Sequence, residues 1–359
     1  MNKSSKTLIT GTGSYIPKQK VVNADFLDRT FLNPDGTPFD KTNKEIIQKF
    51  TEITGIRERR YAADDVLASD MGTEAGGRAL ESAGLDPEEL DYIIVAHNFG
   101  DIRADNPKVD LVPTLASRVK HKLGITNPYC IAYDLPFGCP GWVQGIIQSH
   151  YYLSSGDAKS SLVIGTETLS RICDPHDRDS MIYADGAGAA VLETKNSDSP
   201  AGVLGHVSRT DTIKQTNYLR MEPSFNPERD DTLYLKMDGR KLYQYALTYV
   251  PDLVKSSLDK AGLTIDDVQK VLIHQANAKM DSAILDRILK LYGKEEAPDK
   301  LMPMTISWLG NTSVATVPTL LDLILRDRMA GHQIRKGDNL VFASVGAGMN
   351  INSLVYKVP

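Results

Sequence analysis

Ala83-Gly84-Leu85-Asp86-Pro87-Glu88-Glu89-Leu90-Asp91-Tyr92-Ile93-Ile94-Val95 has a counterpart 178 residues further on, from Gly84 to Gly262: Ala261-Gly262-Leu263-Thr264-Ile265-Asp266-Asp267-Val268-Gln269-Lys270-Val271-Leu272-Ile273. Each stretch reads as a helix ending at glycine, an acidic turn and then a β-branched strand. The offset is about half of the 359 residues. A helix-strand unit recurring once at that distance predicts a duplicated α/β architecture, whose two halves pack their sheets together because neither alone buries its apolar face.

Working outward, Ser69 is placed to cap a helix that runs to Ala83, and strands are expected at residues 92–96 and 129–135. After a turn at Cys139, Val143, Ile146, Ile147 and His150 share one helical face that Gly156 closes. Buried strands follow at 161–164 and 189–192. In the second half a helix is expected over 253–261 and a strand over 271–273. Met280, Ala283, Ile284, Ile288 and Leu291 then form a helical stripe that Gly293 stops. A helix over 313–326 and strands at 340–345 and 353–358 complete the pattern. Continuous β-branched runs between amphipathic helices point to strands covered on both faces. The polar run Lys195-Asn196-Ser197-Asp198-Ser199-Pro200 divides the chain into residues 1–195 and 196–359. Residues 31–42 and 99–106 read as insertions or lids.

With 41% apolar residues the chain can bury a large core. No apolar run reaches the roughly 18 residues that span a bilayer. The basic start leads straight into a strand rather than a signal-peptide core, so a cytoplasmic location is expected. A net charge of −5 argues against general nucleic-acid binding. Three cysteines make no disulfide framework in a chain of this length. The histidines have no paired ligand spacing, and no metal is expected.

Two glycine pairs, Gly11-Thr12-Gly13 and Gly186-Ala187-Gly188, lack the strand-glycine-helix order of a dinucleotide fold. Cys130, inside an apolar strand, reads as a core residue, and Cys173 as structural. Cys139 differs: in Asp134-Leu135-Pro136-Phe137-Gly138-Cys139-Pro140-Gly141-Trp142 it sits at a strand-to-helix turn, where free helix N–H groups favour a thiolate nucleophile. His274 ends an apolar strand at the sheet edge where α/β proteins place their sites, although a satisfied core histidine fits equally well. Asn311 alone reads best as a helix cap. Ala343-Ser344-Val345-Gly346-Ala347-Gly348-Met349 follows a buried strand with glycines that permit close backbone approach, as an oxyanion-binding turn requires.

At these residues the chain resembles the thiolase-fold condensing enzymes, and among them β-ketoacyl-acyl-carrier-protein synthase III. The likeness runs through Gly11 to Pro17, Thr54-Gly55-Ile56-Arg57-Glu58-Arg59, the Cys139 turn, Cys173-Asp174-Pro175 to Ala189, His274-Gln275-Ala276-Asn277 and Gly310-Asn311-Thr312-Ser313. It implies a homodimer of duplicated halves in a five-layer αβαβα fold, with Cys139, His274 and Asn311 converging as catalytic residues and the Cys139 and Ala347 N–H groups as the oxyanion hole. It further implies Claisen condensation between a Cys139-bound acyl group and a carrier-bound malonyl or β-ketoacyl thioester. No permanent cofactor is implied; the substrates are phosphopantetheine thioesters of coenzyme A or of acyl carrier protein, the expected partner. Arg178, Arg240 and Lys279 fall at cofactor-side positions of the family.

Departures from the family pattern point to a specialised branch. Lys49 and Ile53 stand where enzymes priming from acetyl-coenzyme A carry tryptophan and arginine, and Val345 replaces a common phenylalanine. Residues 98–113 form a longer, more polar segment than expected. The implied branch is similar to dialkylresorcinol-forming synthases joining two acyl chains. An extra carboxylate base for such chemistry is not assignable, with Asp101 and Asp105 merely available. The alternatives are a cysteine-dependent thioester hydrolase, which shares the Cys, His, Asn order, and a non-catalytic binding subunit.

Overall fold

The computed structural model describes residues 4–197 and 201–359. Residues 198–200, the end of the polar run that divides the halves, lie outside the described residues. Five strands, β1 (Ser4–Tyr15), β2 (Tyr92–His97), β3 (Ile131–Pro136), β4 (Ser160–Thr168) and β5 (Asp185–Ser197), form one sheet in the order β1-β5-β4-β2-β3. A second sheet, β6 (Gly202–Thr210), β7 (Val268–Ile273), β8 (Asn339–Gly346) and β9 (Asn350–Lys357), has the order β6-β9-β8-β7. Within it β7 and β8 run parallel while β9 is antiparallel to both β8 and β6. The first sheet repeats that pattern, with β2 parallel to β4 and β5 antiparallel to β4 and β1.

The internal echo is therefore a structural repeat. Helix α1 (Ala68–Ala83) ends at Gly84 with φ 64 and ψ 28, and α3 (Gly239–Ala261) ends at Gly262 with φ 69 and ψ 28. Both glycines adopt the left-handed geometry, and the residue after each donates back five positions, Leu85 to the Leu80 carbonyl and Leu263 to the Leu258 carbonyl. This helix-closing turn aims each following strand into its sheet.

Strand alternation sorts the core into layers. On β4, Leu162 and Ile164 pack with Ala75 and Ala79 of α1, while Val163 faces the other way. Between the sheets lie α2 (Gly141–Ser155) and α5 (Thr316–Leu325), which bring Ile146, Ile147, Leu320 and Ile324 against Val163 from one sheet and Leu272 and Phe342 from the other. Beyond the second sheet, Val271, Ile273, Val341 and Ala343 meet α3 and α4 (Ala278–Lys290). The layers are α1, sheet, α2 with α5, sheet, α3 with α4: the five-layer αβαβα fold. Gly11 and Gly13 lie where the β1 backbone rests on α1, leaving no room for a side chain.

Four expectations need correction. Ser69 is not the cap of α1, since Leu67 holds that position; Ser69 lies inside the helix, its N–H and hydroxyl donating to the two carboxylate oxygens of buried Asp101 at 2.8 and 2.7 Å. Cys130 is buried but precedes β3 rather than lying inside it, and β3 itself is a half-exposed sheet edge. Leu291 falls just outside α4 and is 41% exposed, so it leaves the buried stripe. Residues 99–106 are no simple lid, because Asp101–Arg103 and Asn106–Asp110 pair as a short hairpin.

Candidate active site

β3 delivers the chain to Phe137-Gly138-Cys139-Pro140, and α2 begins at Gly141 with Pro140 as its first flank and no side-chain cap. Gly138 has φ +70, and a Cβ there would stand 2.9 Å from the Ala347 nitrogen. From the other side, a Cβ on Gly346 would stand 2.6 Å from the Cys139 nitrogen. Two glycines thus let the turn after β3 and the turn after β8 press backbone against backbone. This brings the peptide groups of Cys139 and Ala347 together, and Asn350 Nδ2 holds the second turn by donating to the Ala347 carbonyl at 2.9 Å.

His274 follows β7, its N–H donating to the Ala343 carbonyl at 2.8 Å, and is 4% exposed. Its neighbours are structural: Gln275 bridges the Pro303 carbonyl and the N–H groups of Thr305 and Ile306, and Asn277 caps α4. Asn311 is clamped through its backbone to Ile182 and Ala184. Its Oδ1 accepts the Ser313 N–H at 2.8 Å. With the oxygen so engaged, the amide NH2 remains as the donor to offer elsewhere. The expectation of a helix cap is corrected: Thr312 and Ala315 hold the N-terminal positions of the helical turns that follow, and the Asn311 oxygen only closes a turn onto Ser313.

Cys139, His274, Asn311 and Ala347 all line a single cavity of about 350 Å³, whose walls include Phe99, Leu219, Met221, Leu235 and Val345. A wider cleft of about 980 Å³ adjoins it, sharing Asn311, Ala276 and Met280, and reaches Lys49, Ile53, Arg178 and Arg240. The exposed Arg178 side chain lies over the Phe39 ring at 5.1 Å. Exposed Lys279 lines neither cavity.

Desolvation governs the ionisable groups. It pushes the Cys139 thiol up to about 12, with the Glu167 carboxyl adding and the Ser313 hydroxyl opposing. Cys139 keeps some accessible surface, but that surface faces the cavity. The expectation of a resting thiolate is corrected: burial outweighs the helix end, and the sulfur rests protonated. The same burial drives the His274 imidazole down to about 4, against a smaller contribution from the Ser313 backbone. It is neutral at physiological pH. The two available carboxylates are also accounted for. Asp101 is consumed by Ser69 and Arg118, and Asp105 pairs with Arg103 on the surface.

Three site residues escaped sequence inspection. Ser313 Oγ donates to Cys139 Sγ at 3.2 Å. Asn98 Nδ2 donates to Ser313 Oγ at 3.0 Å and also to Glu167 Oε1. Glu167 is the signal that was present, a carboxyl inside the buried run Val163-Ile164-Gly165-Thr166-Glu167.

The family model for 3-oxoacyl-[acyl-carrier-protein (ACP)] synthase III matches residues 133–212, and the model for the C-terminal part of the same enzymes matches 258–358. The chain is similar to β-ketoacyl-[acyl-carrier-protein] synthase III of Neisseria meningitidis serogroup B, with 34% identity across 95% of both chains. The Brucella anthropi enzyme of that name is 31% identical over 98% of this chain and 99% of its own. Among solved structures, the synthase III of Pseudomonas aeruginosa superposes with TM-score 0.80 at 28% identity over 99% and 98% of the two chains. The priming β-ketosynthase of the R1128 polyketide pathway gives 0.81, also at 28% identity, over 100% and 98%. Relatives of this identity aligned over nearly their full length, together with the two family models and the shared five-layer fold, show that the chain belongs to the β-ketoacyl-[acyl-carrier-protein] synthase III family and is a Claisen-condensing acyltransferase.

Proposed function

We propose that Cys139 carries the acyl group and that His274 and Asn311 hold the enolate that attacks it. In the loading step the Cys139 sulfur bonds to the acyl carbon, the bond from that carbon to the carrier sulfur breaks, and the thiol proton ends on the departing sulfur. The N–H groups of Cys139 and Ala347 face the oxyanion of this step. In the second step a malonyl thioester loses carbon dioxide, or a β-ketoacyl thioester loses an α-proton to solvent, and the enolate oxygen takes N–H donors from neutral His274 and Asn311. The new carbon–carbon bond forms as Cys139 leaves and is reprotonated. The observation that carries this reading is the shared cavity of these four residues, with Asn311 at the passage to the cationic cleft.

The cleft suits a phosphopantetheine arm, with Arg178 and Arg240 for its phosphate and Lys279 outside as a contact for acyl carrier protein. Lys49 and Ile53 at the cleft offer no ring for stacking on an adenine, which favours the carrier protein as donor of both partners. Val345 in the inner cavity leaves room that a phenylalanine would fill, which supports a specialised lipid or polyketide branch such as dialkylresorcinol synthesis. Residues 1–195 and 196–359 act as two thiolase-like halves, one bringing the cysteine and the other the histidine and asparagine. A homodimer is supported by the β3 edge, where Tyr129 and Ile131 are exposed, and by Val112, which is 87% exposed. Three free cysteines fit a cytoplasmic protein.

The test is intact mass after mixing with acyl-coenzyme A and, separately, acyl carrier protein. A stable acyl adduct that disappears in Cys139→Ala, and that a malonyl or β-ketoacyl carrier thioester discharges into a carbon–carbon product, is the expected result. Turnover to free acid with no second thioester would instead make the protein a hydrolase, and no adduct would make it a binding subunit.

A further inference from the structure

Glu167 sits in the middle of β4 with 2% exposure, and no Lys, Arg or His among the described residues lies within ion-pair reach of it. A carboxyl in such a position costs stability unless its partners use it. Its partners belong to Asn98 alone: the backbone N–H at 2.8 Å and the amide nitrogen, both on Oε1.

Counting hydrogens gives the consequence. The Asn98 amide has two: one goes to Glu167 and the other to Ser313 Oγ at 3.0 Å. Ser313 Oγ therefore accepts from Asn98, and its single hydrogen is left for the Cys139 sulfur at 3.2 Å. Ser313 itself is held at φ +51, an unusual backbone for a side-chain-bearing residue, by the bond from its N–H to Asn311 Oδ1. We propose that Glu167, through Asn98, is a positioning residue that aims the Ser313 hydroxyl at the Cys139 sulfur and thereby sets the reactivity of that thiol. This rests on Cys139 as nucleophile. It also supplies a role for a buried carboxyl without making it a base that touches substrate.

The other titratable groups facing this line are Asp185 on β5, which acts on Glu167, and Tyr183 and His274 beside Cys139 in the cavity. Loss of the hydroxyl and loss of the acceptor oxygen of Glu167 therefore act in the same direction. Without Ser313 Oγ the thiolate loses a donor; without the Glu167 oxygen, Asn98 is released and that donor loses its aim, whereas removing the Glu167 charge alone spares the thiolate a nearby negative charge.

The experiment is alkylation of Cys139 by iodoacetamide from pH 6 to 10.5, followed by peptide mass, with melting temperature recorded for every variant. Ser313→Ala is expected to slow alkylation about tenfold at a given pH, one unit of thiol ionisation. Asn98→Ala, which cuts the line in its middle, shifts it in the same direction. Glu167→Ala, which removes the acceptor that holds Asn98, alkylates several-fold more slowly than Glu167→Gln, which keeps an acceptor oxygen there without the charge. Profiles of Ser313→Ala and Asn98→Ala that superimpose on the wild type overturn the proposal, as does a Glu167→Ala profile that matches that of Glu167→Gln. If Glu167→Ala does not fold, Glu167→Met, which also lacks the acceptor, takes its place. An absent acyl adduct on wild-type protein would sink the condensing mechanism, while the alkylation profiles would still report on this line.

Discussion

Gly346→Ala places one methyl group where the two halves of the site meet. Gly346 has φ −168, extended backbone that alanine adopts without strain, so the whole effect comes from contact. The added carbon would lie 2.6 Å from the Cys139 nitrogen, 2.8 Å from Pro140 Cδ and 2.9 Å from Cys139 Cβ. None of these is the free end of a flexible side chain. Relief to ordinary contact requires the turn after β3 and the turn after β8 to part by roughly 1 Å, and overpacking of this kind costs about 1–3 kcal/mol. The same displacement opens the Cys139 and Ala347 N–H pair, and misplacement on that scale costs about 100-fold in rate. Gly156→Ala is the control: Gly156 has φ +83 and nothing within 4 Å, so its cost is conformational, about 1 kcal/mol, and remote from the site. Single-turnover acylation by intact mass, beside chemical unfolding of both variants, separates the two effects. Gly346→Ala acylating at the wild-type rate, or Gly156→Ala slowing as much, would refute the backbone-contact argument.

Asn311→Ala should leave the loading step within a few-fold of wild type while condensation falls about 10²–10³-fold, the loss typical of one oxyanion donor; equal loss in both half-reactions in single-turnover assays would count against its assignment. His274 has a folded value near 4 against 6.5 unfolded, so its contribution to stability is complete above 6.5 and lost as pH falls toward 4. Between pH 7 and 4.5, urea unfolding should show wild type losing roughly 2–3 kcal/mol more than His274→Gln. Glu167 has the opposite sign, its folded value raised to about 8 from 4.5, so stability is present below 4.5 and lost as pH rises through 8. Glu167→Gln should therefore gain on wild type by roughly 4 kcal/mol between pH 4.5 and 9 in the same measurement, and an unchanged difference would remove Glu167 from the buried titrating groups.

The helix-strand echo was legible because everything in it is local: a helix-ending glycine, an acidic turn and a β-branched run lie within thirteen residues. The strand-to-helix turn at Cys139 was legible for the same reason. What could not be seen depends on distance along the chain. Asp101 serves α1 from 32 residues away, and the line from Glu167 to Cys139 joins residues separated by 69, 215 and 174 positions. No periodicity carries such pairings. Helix α3 begins at Gly239, well ahead of the expected 253, because Pro251 lies inside it where a stop would normally be inferred. The charge state of Cys139 was misjudged for a related reason. The helix end that favours a thiolate is visible in sequence, whereas the burial that opposes it is a property of the assembled cavity.

That burial also bears on why the chain condenses rather than hydrolyses. At neutral pH the Cys139 thiol, raised to about 12, the His274 imidazole, lowered to about 4, and the Glu167 carboxyl, raised to about 8, all rest uncharged. Apart from Arg220, which lines the same cavity and pairs with Glu222, the cavity therefore meets its substrate with dipoles rather than charges: two backbone N–H groups, the Asn311 amide, the imidazole N–H and the Ser313 hydroxyl. Such donors gain most when negative charge develops inside the cavity, on a thioester oxygen or an enolate, because the low-dielectric surroundings have already been organised. They do little for a neutral water. A histidine whose conjugate acid lies near 4 is a weak base toward water, and the nearest buried carboxyl is protonated and separated from the sulfur by Asn98 and Ser313. On the proposed mechanism, an acyl group on Cys139 would thus be protected from hydrolysis by the same desolvation that keeps the free thiol protonated, and would persist until a second thioester brings its own carbanion.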